Sequence, residues 1–183
     1  STERNITYIR RMPQNAHAVA LPRAIPRSVA ELPALPLDRM SFEGQLAASQ
    51  LAEAGESPNT IRSYRAAFRY WWAWFYFRYR AELQLPVAEH VVVQFIIDHA
   101  PRPVGDGRLA HELPAAIDEA LVAGGFKAKM GPMALNTLLH RVSVLSKMHQ
   151  MARPRDAKSA ADSPNPCESP QVRHLLGMTR RGY

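Results

Sequence analysis

The chain holds one cysteine, Cys167, among 183 residues. A single thiol excludes an internal disulfide and a cysteine-ligated zinc cluster, and it fits a reducing, intracellular setting. No apolar run approaches the roughly eighteen residues of a membrane-spanning helix. The N-terminus also lacks the apolar stretch of a secretion signal. A soluble, cytoplasmic protein with no membrane contact is the expectation. The seven histidines show no metal-ligand spacing, since His111–Glu112 is followed by "LPAAI" with no second histidine. No glycine-rich phosphate loop and no marked nucleophilic serine stand out, so neither a metal nor a cofactor is expected. The most local absence is of acid: "SPNTIRSYRAAFRYWWAWFYFRYR", Ser57 to Arg80, contains no Asp or Glu.

What is present is cationic. The chain carries 23 Lys plus Arg against 16 Asp plus Glu, a net charge of +7. Its isoelectric point near 10.0 favours a polyanionic partner. The charge is unevenly placed. Residues 1–36 carry +3, 37–56 carry −3, 57–80 carry +5, 81–123 carry −5 and 124–183 carry +7. Two basic blocks around an acidic one point to one positive face assembled from segments distant in sequence.

Residues 1–36 hold prolines at 13, 22, 26, 33 and 36 without sustained periodicity, which reads as an extended arm. From 37 to 183 the chain reads as one helical domain. In "SFEGQLAASQLAEAG", Ser41 is a candidate N-cap, 42, 46, 47 and 51 are apolar, and Gly55 is the stop. Ser57 caps the next helix, with Pro58 at its favoured first position. Val87 to His99 forms a third helix, and residues 101–112 a loop. "LPAAIDEALVAGG" forms a short amphipathic helix ended by Gly124 and Gly125. "GPMALNTLLHRVSVLSKMHQMA" is a fourth long helix. "RPRDAKSAADSPNPCE" is a polar connection, and a last helix is capped at Ser169. With no strand or hairpin signal and no repeat, the expected class is all-α. The expected form is a compact bundle of roughly four to five main helices, with the arm and one extra short helix.

Helical geometry sorts the acid-free stretch. At about 100° per residue, Ile61, Tyr64, Phe68, Trp71, Trp72 and Phe75 fall on one core-facing arc. Arg62, Arg65 and Arg69 line its flank, with Ser63, Ala66 and Tyr70 beyond. A solvated face ordinarily mixes signs to obtain i,i+4 pairs, and this one does not. On the fourth long helix Leu135, Leu138, Val142, Leu145 and His149 share one face, which makes His149 a packed core histidine. Thr137, His140, Val144 and Lys147 share the other, with Arg141 at the boundary. Hydroxyl, imidazole and guanidinium groups on two helices can grip phosphates and base edges.

In order, "SPNTIRSYRAAFRYWWAWF", "LPVAEHVVVQFIIDHA", "LNTLLHRVSVLSKMHQMA" and "NPCESPQVRHLLGMTRRG" resemble the N-terminal core-binding, SAM-like domain of tyrosine recombinases, the phage-integrase and Cre-like class. The resemblance covers about residues 41–182. It implies a helical bundle lying on duplex DNA, with its second and fourth helices at the major groove and the enzyme oligomeric on its site. Carried across, Thr60 and Arg62 meet the DNA backbone, Ser63 and Ala66 approach bases, and Arg69 holds phosphate. Asn136 and Thr137 sit at the start of the fourth helix, with His140 and Arg141 reaching into the groove. Residues 101–133 are longer than the connection usual in the family. Family catalysis also needs a second domain carrying two arginines, a lysine, histidines and a nucleophilic tyrosine. The chain is therefore expected to be the DNA-binding half of a recombinase, working beside a catalytic domain it does not contain. The alternative is a free-standing helical regulatory or protein-interaction module with a basic face.

Overall fold

Ser57 accepts a hydrogen bond from the Thr60 backbone N–H at 3.2 Å, and Pro58 follows it, so the helix α2 (Pro58–Tyr79) starts where the sequence marks it. A computed structural model describes residues 25–153 and 164–182. Most of the proposed arm, the middle of the 153–168 connection and Tyr183 lie outside the described residues. The other helices are α1 (Leu37–Glu53), α3 (Glu89–His99), α4 (Ala115–Ala123), α5 (Leu135–Ala152) and α6 (Pro170–Arg181). Ser169 caps α6 by accepting from the Val172 N–H at 3.2 Å, and Gly124 and Gly125 follow the end of α4. The all-α class holds.

Three expectations need correction. Helix α1 begins at Leu37 after Pro36, so Ser41 lies inside it rather than capping it. Its buried face is Met40, Gly44, Ala47 and Leu51, while Phe42 and Leu46 are exposed. Residues 101–112 are not a plain loop. Arg102–Val104 (β1) pairs antiparallel with Arg108–Ala110 (β2) around Gly105–Asp106–Gly107. Asp106 and Gly107 adopt positive φ there, which a short hairpin turn requires. The described end of the arm, residues 25–36, lies against the bundle: Pro26 is buried, Leu32 and Leu35 pack on the core, and Arg80 donates to the Glu31 carbonyl at 3.0 Å.

Helix α2 is the axis of the core and touches α1, α4 and α5. Beyond Arg69 it is buried almost all round: Tyr70, Trp71, Trp72, Ala73 and Trp74 are each 0% exposed. The single aromatic stripe expected from the sequence is thus too narrow, and Tyr70 belongs to the interior. Trp71 stacks on Phe95 of α3 with 3.6 Å between ring centroids, and its indole N–H donates to the Arg141 carbonyl of α5 at 2.8 Å. The Trp74 indole donates to Asp98 at 2.9 Å. Asp98 is fully buried and also meets Arg78 at 3.2 Å and the Gln94 amide at 2.7 Å. The His99 Nδ1–H donates to the Phe95 carbonyl at 2.7 Å, so its Nε2 accepts from the Tyr70 hydroxyl, also at 2.7 Å.

Removing the Trp71 ring deletes both the stack and the indole bond. Trp71→Ala is expected to cost roughly 3–5 kcal/mol in urea unfolding, the range for buried large aromatics.

The core histidines make stability depend on pH. His149 accepts from the Val87 N–H at 3.0 Å, and burial holds its pKa down to about 4. Burial also pushes His99 well below the usual imidazole value. The unfolded chain therefore binds more protons below about pH 6.5, so stability falls as pH drops from there towards about 4. Asp98, whose pKa burial raises, contributes the opposite slope above the ordinary carboxylate range. Urea midpoints across that window should fall less steeply with acid in His149→Gln than in the wild type.

Candidate nucleic-acid interface

Along α2 the residues Arg62, Ser63, Arg65, Ala66 and Arg69 are all exposed. Thr60 is half-buried and turned back to the helix cap, its hydroxyl 2.9 Å from that of Ser57. Arg62 donates to the Asn59 side-chain carbonyl at 3.3 Å, which steadies the guanidinium without neutralising it. Among the described residues, Arg62, Arg65 and Arg69 have no carboxylate partner. Cations elsewhere do: Arg39 with Glu43 and Glu82, Arg78 with Asp98, Arg102 with Glu112, and Lys127 with Asp118. The segment that lacks acid thus stays uncompensated after folding.

Helix α5 meets this flank at one polar contact. The Ser63 hydroxyl lies 2.9 Å from His140 Nε2, and the His140 ring is 6.0 Å from that of Tyr64. Asn136 and Thr137 are exposed in the first turn of α5, where no side chain caps the helix and no acid stands. The structure therefore joins Ser63 of one helix to His140 of the other, 77 positions apart in sequence, with the arginine row beside them.

Arg141, Lys147 and Val144 are placed differently from the rest. The Arg141 guanidinium lies 3.4 Å over the Tyr70 ring and points its other nitrogen at Met133 Sδ. Burial lowers its pKa, and interaction with Tyr70 opposes that shift. This arginine closes the top of the α2–α3–α5 core. Lys147 pairs with Glu56 at 3.5 Å, and Val144 is 1% exposed. Helix α5 is covered on more than one side, by α2, α3 and α6, so its second face is half interior.

Two groups resemble catalytic chemistry and are built otherwise. A His-x-x-Arg spacing, which could position an imidazole beside a guanidinium, occurs at His99–Arg102. His99 is 1% exposed with both ring nitrogens bonded, and Arg102 pairs with Glu112. The Cys167 thiol lies 3.9 Å from His149 Nδ1, yet burial lifts the thiol pKa to about 12 while holding the imidazole at about 4. Both stay neutral, so no thiolate forms. Among the described residues no three His, Cys, Asp or Glu side chains gather to hold a metal ion, and no helix is long and apolar enough to cross a membrane.

Compared with protein-family models, curated proteins and solved structures, the chain finds no match in any of the three.

The geometry separates arginines that look equivalent in sequence. Arg62→Ala and Arg65→Ala should leave stability within about 0.5 kcal/mol, as for exposed sites. Arg141→Ala should cost roughly 1–2 kcal/mol by uncovering Tyr70. Thermal melts of the three variants side by side check the ranking.

Proposed function

We propose that this chain binds duplex DNA in a sequence-dependent way, as the core-binding half of a site-specific tyrosine recombinase. The observation that carries the reading is the exposed, acid-free row Arg62, Arg65 and Arg69 beside the Ser63–His140 junction. On a helix rising 1.5 Å per residue, the row spans about 10 Å, or about three base-pair steps at roughly 3.4 Å each. Side chains so spaced can follow one phosphate strand. Ser63 and His140 each offer a hydrogen bond to a base edge, and Ala66 offers a methyl-sized apolar contact and close approach. Asn136 and Thr137 extend the polar set along α5. The motif order resembles that of recombinase core-binding domains, in which the same two helices would lie at the groove, and this supports the reading. Arg141 and Lys147 drop out of the proposed contact set, because one covers Tyr70 and the other is paired with Glu56.

Phosphate contacts release counterions, so affinity must fall as salt rises. Titrating a mixed-sequence duplex at increasing salt should give a steep negative slope for the wild type. Arg62→Ala and Arg65→Ala should each make it shallower by about one. Selection from a randomised duplex pool should enrich a defined half-site, and His140→Ala should relax the preference at particular positions. A flat salt response with no enriched sequence would overturn the reading and favour a protein-interaction module.

A further inference from the structure

We infer that the α4–α5 loop, Gly124 to Met133, is part of the same DNA-binding surface: Phe126 positions Arg69, and Lys129 supplies an additional phosphate contact. The inference rests on the proposed DNA reading and extends it to a segment that the recombinase resemblance leaves without a role.

Arg69 is not a free side chain. Its stem runs past Gly44 of α1, where an added Cβ would sit 3.9 Å from Cγ, and its guanidinium lies 5.5 Å over the Phe126 ring. The ring is held in turn. The Phe126 and Lys127 backbone N–H groups both donate to the Leu121 carbonyl, at 2.9 and 3.1 Å. The ring folds back over Gly124, and a Cβ there would come within 2.6 Å of its edge. Glycine at 124 is what lets the ring reach its place under Arg69.

The loop then closes on a buried carboxylate. Asp118, 1% exposed, accepts from the Lys127 ammonium and from the Gly131 N–H at 2.8 Å, and His111 stands 3.5 Å away. Lys127 also donates to the Gly131 carbonyl. Both ends of the turn 127–131 are thereby fixed, and its tip is exposed at Ala128, Lys129 and Met130. Lys129 has no carboxylate partner among the described residues. Three Cα–Cα steps, through Lys127 and Ala128, lead to it from Phe126, so the two Cα atoms are no more than about 11 Å apart. Two lysines two positions apart thus have opposite fates. Lys127 is neutralised inside as a fastener, and Lys129 adds its charge to the rim on which Arg69 stands. Exposed like charges without carboxylate partners on one rim repel one another, and a polyanion lying across them relieves that repulsion.

The test uses the full chain, a mixed-sequence duplex and a salt series, with melting temperature as the check on folding. Lys129→Gln should melt like the wild type, bind more weakly at low salt and lower the salt slope by about one. Gly124→Ala leaves every charge in place but displaces the Phe126 ring. It should weaken binding about two- to fivefold, the scale of one exposed cation–π contact, and so should Phe126→Ala. Neither change should weaken binding further once Arg69→Ala is present, because the ring acts through that arginine. If Arg62→Ala weakens binding while Lys129→Gln and Phe126→Ala do not, the loop lies outside the interface and the inference fails alone. If Arg62→Ala is also without effect, the DNA reading falls and takes the inference with it.

Discussion

Burying the indole and phenol groups of α2 is the constraint around which the bundle is organised. From Tyr70 to Tyr79 the helix is interior on nearly every side. Three of its rings carry polar tips that find partners on neighbouring elements, whereas the buried Trp72 indole N–H and Tyr79 hydroxyl have none among the described residues. Asp98 receives the Trp74 N–H, His99 receives the Tyr70 hydroxyl, and the Arg141 carbonyl receives the Trp71 N–H. Those bonds set α3 and α5 at fixed heights along α2. Specificity comes from the hydrogen bonds and mass from the aromatic surface, because area alone is indifferent to register. Asp98 is tolerated in the interior because Arg78, Gln94 and Trp74 together satisfy it.

The same arrangement positions the exposed end of α2. Ser63 stands about two turns before Trp71 on α2, His140 is next to Arg141 on α5, and the two meet at the surface. A junction with both donors and acceptors, flanked by exposed arginines, therefore follows from how the core is packed. Charge is sorted by the same folding event. The acidic residues take partners from other elements, as with Asp98 and Arg78, Asp118 and Lys127, and Glu56 and Lys147. Of the exposed cations without a carboxylate partner among the described residues, Arg62, Arg65 and Arg69 lie on the α2 flank and Lys129 on the α4–α5 turn, while Arg173, Arg180 and Arg181 lie on α6. Exposed pairs such as Arg39 with Glu43 contribute little to stability.

Local backbone signals were legible without the fold. Ser57–Pro58, Ser169–Pro170 and Gly124–Gly125 mark helix ends through hydrogen bonds and φ preferences that act within a few residues. The absence of Asp and Glu from 57 to 80 is likewise a fact of sequence that folding preserves on the exposed flank. Ser41 misled because it satisfies the same capping rule yet sits within α1, where Pro36 already starts the helix. Phe42 and Leu46 misled because α1 is apolar on two faces, and only its docking against α2 selects Met40, Gly44, Ala47 and Leu51.

Sequence by itself determined where the helices run, the aromatic mass of α2 and the lack of compensating acid beside Arg62, Arg65 and Arg69. Tertiary structure alone decided which cations remain free. Arg141 and Arg62 are the same residue type on comparable helices, and so are Lys127 and Lys129 two positions apart. One of each pair is drawn inward, by the Tyr70 ring or by the buried Asp118 carboxylate, and the other is left in water. Whether a charge is neutralised depends on what a distant segment brings within a few ångströms of it, and helical periodicity carries no record of that.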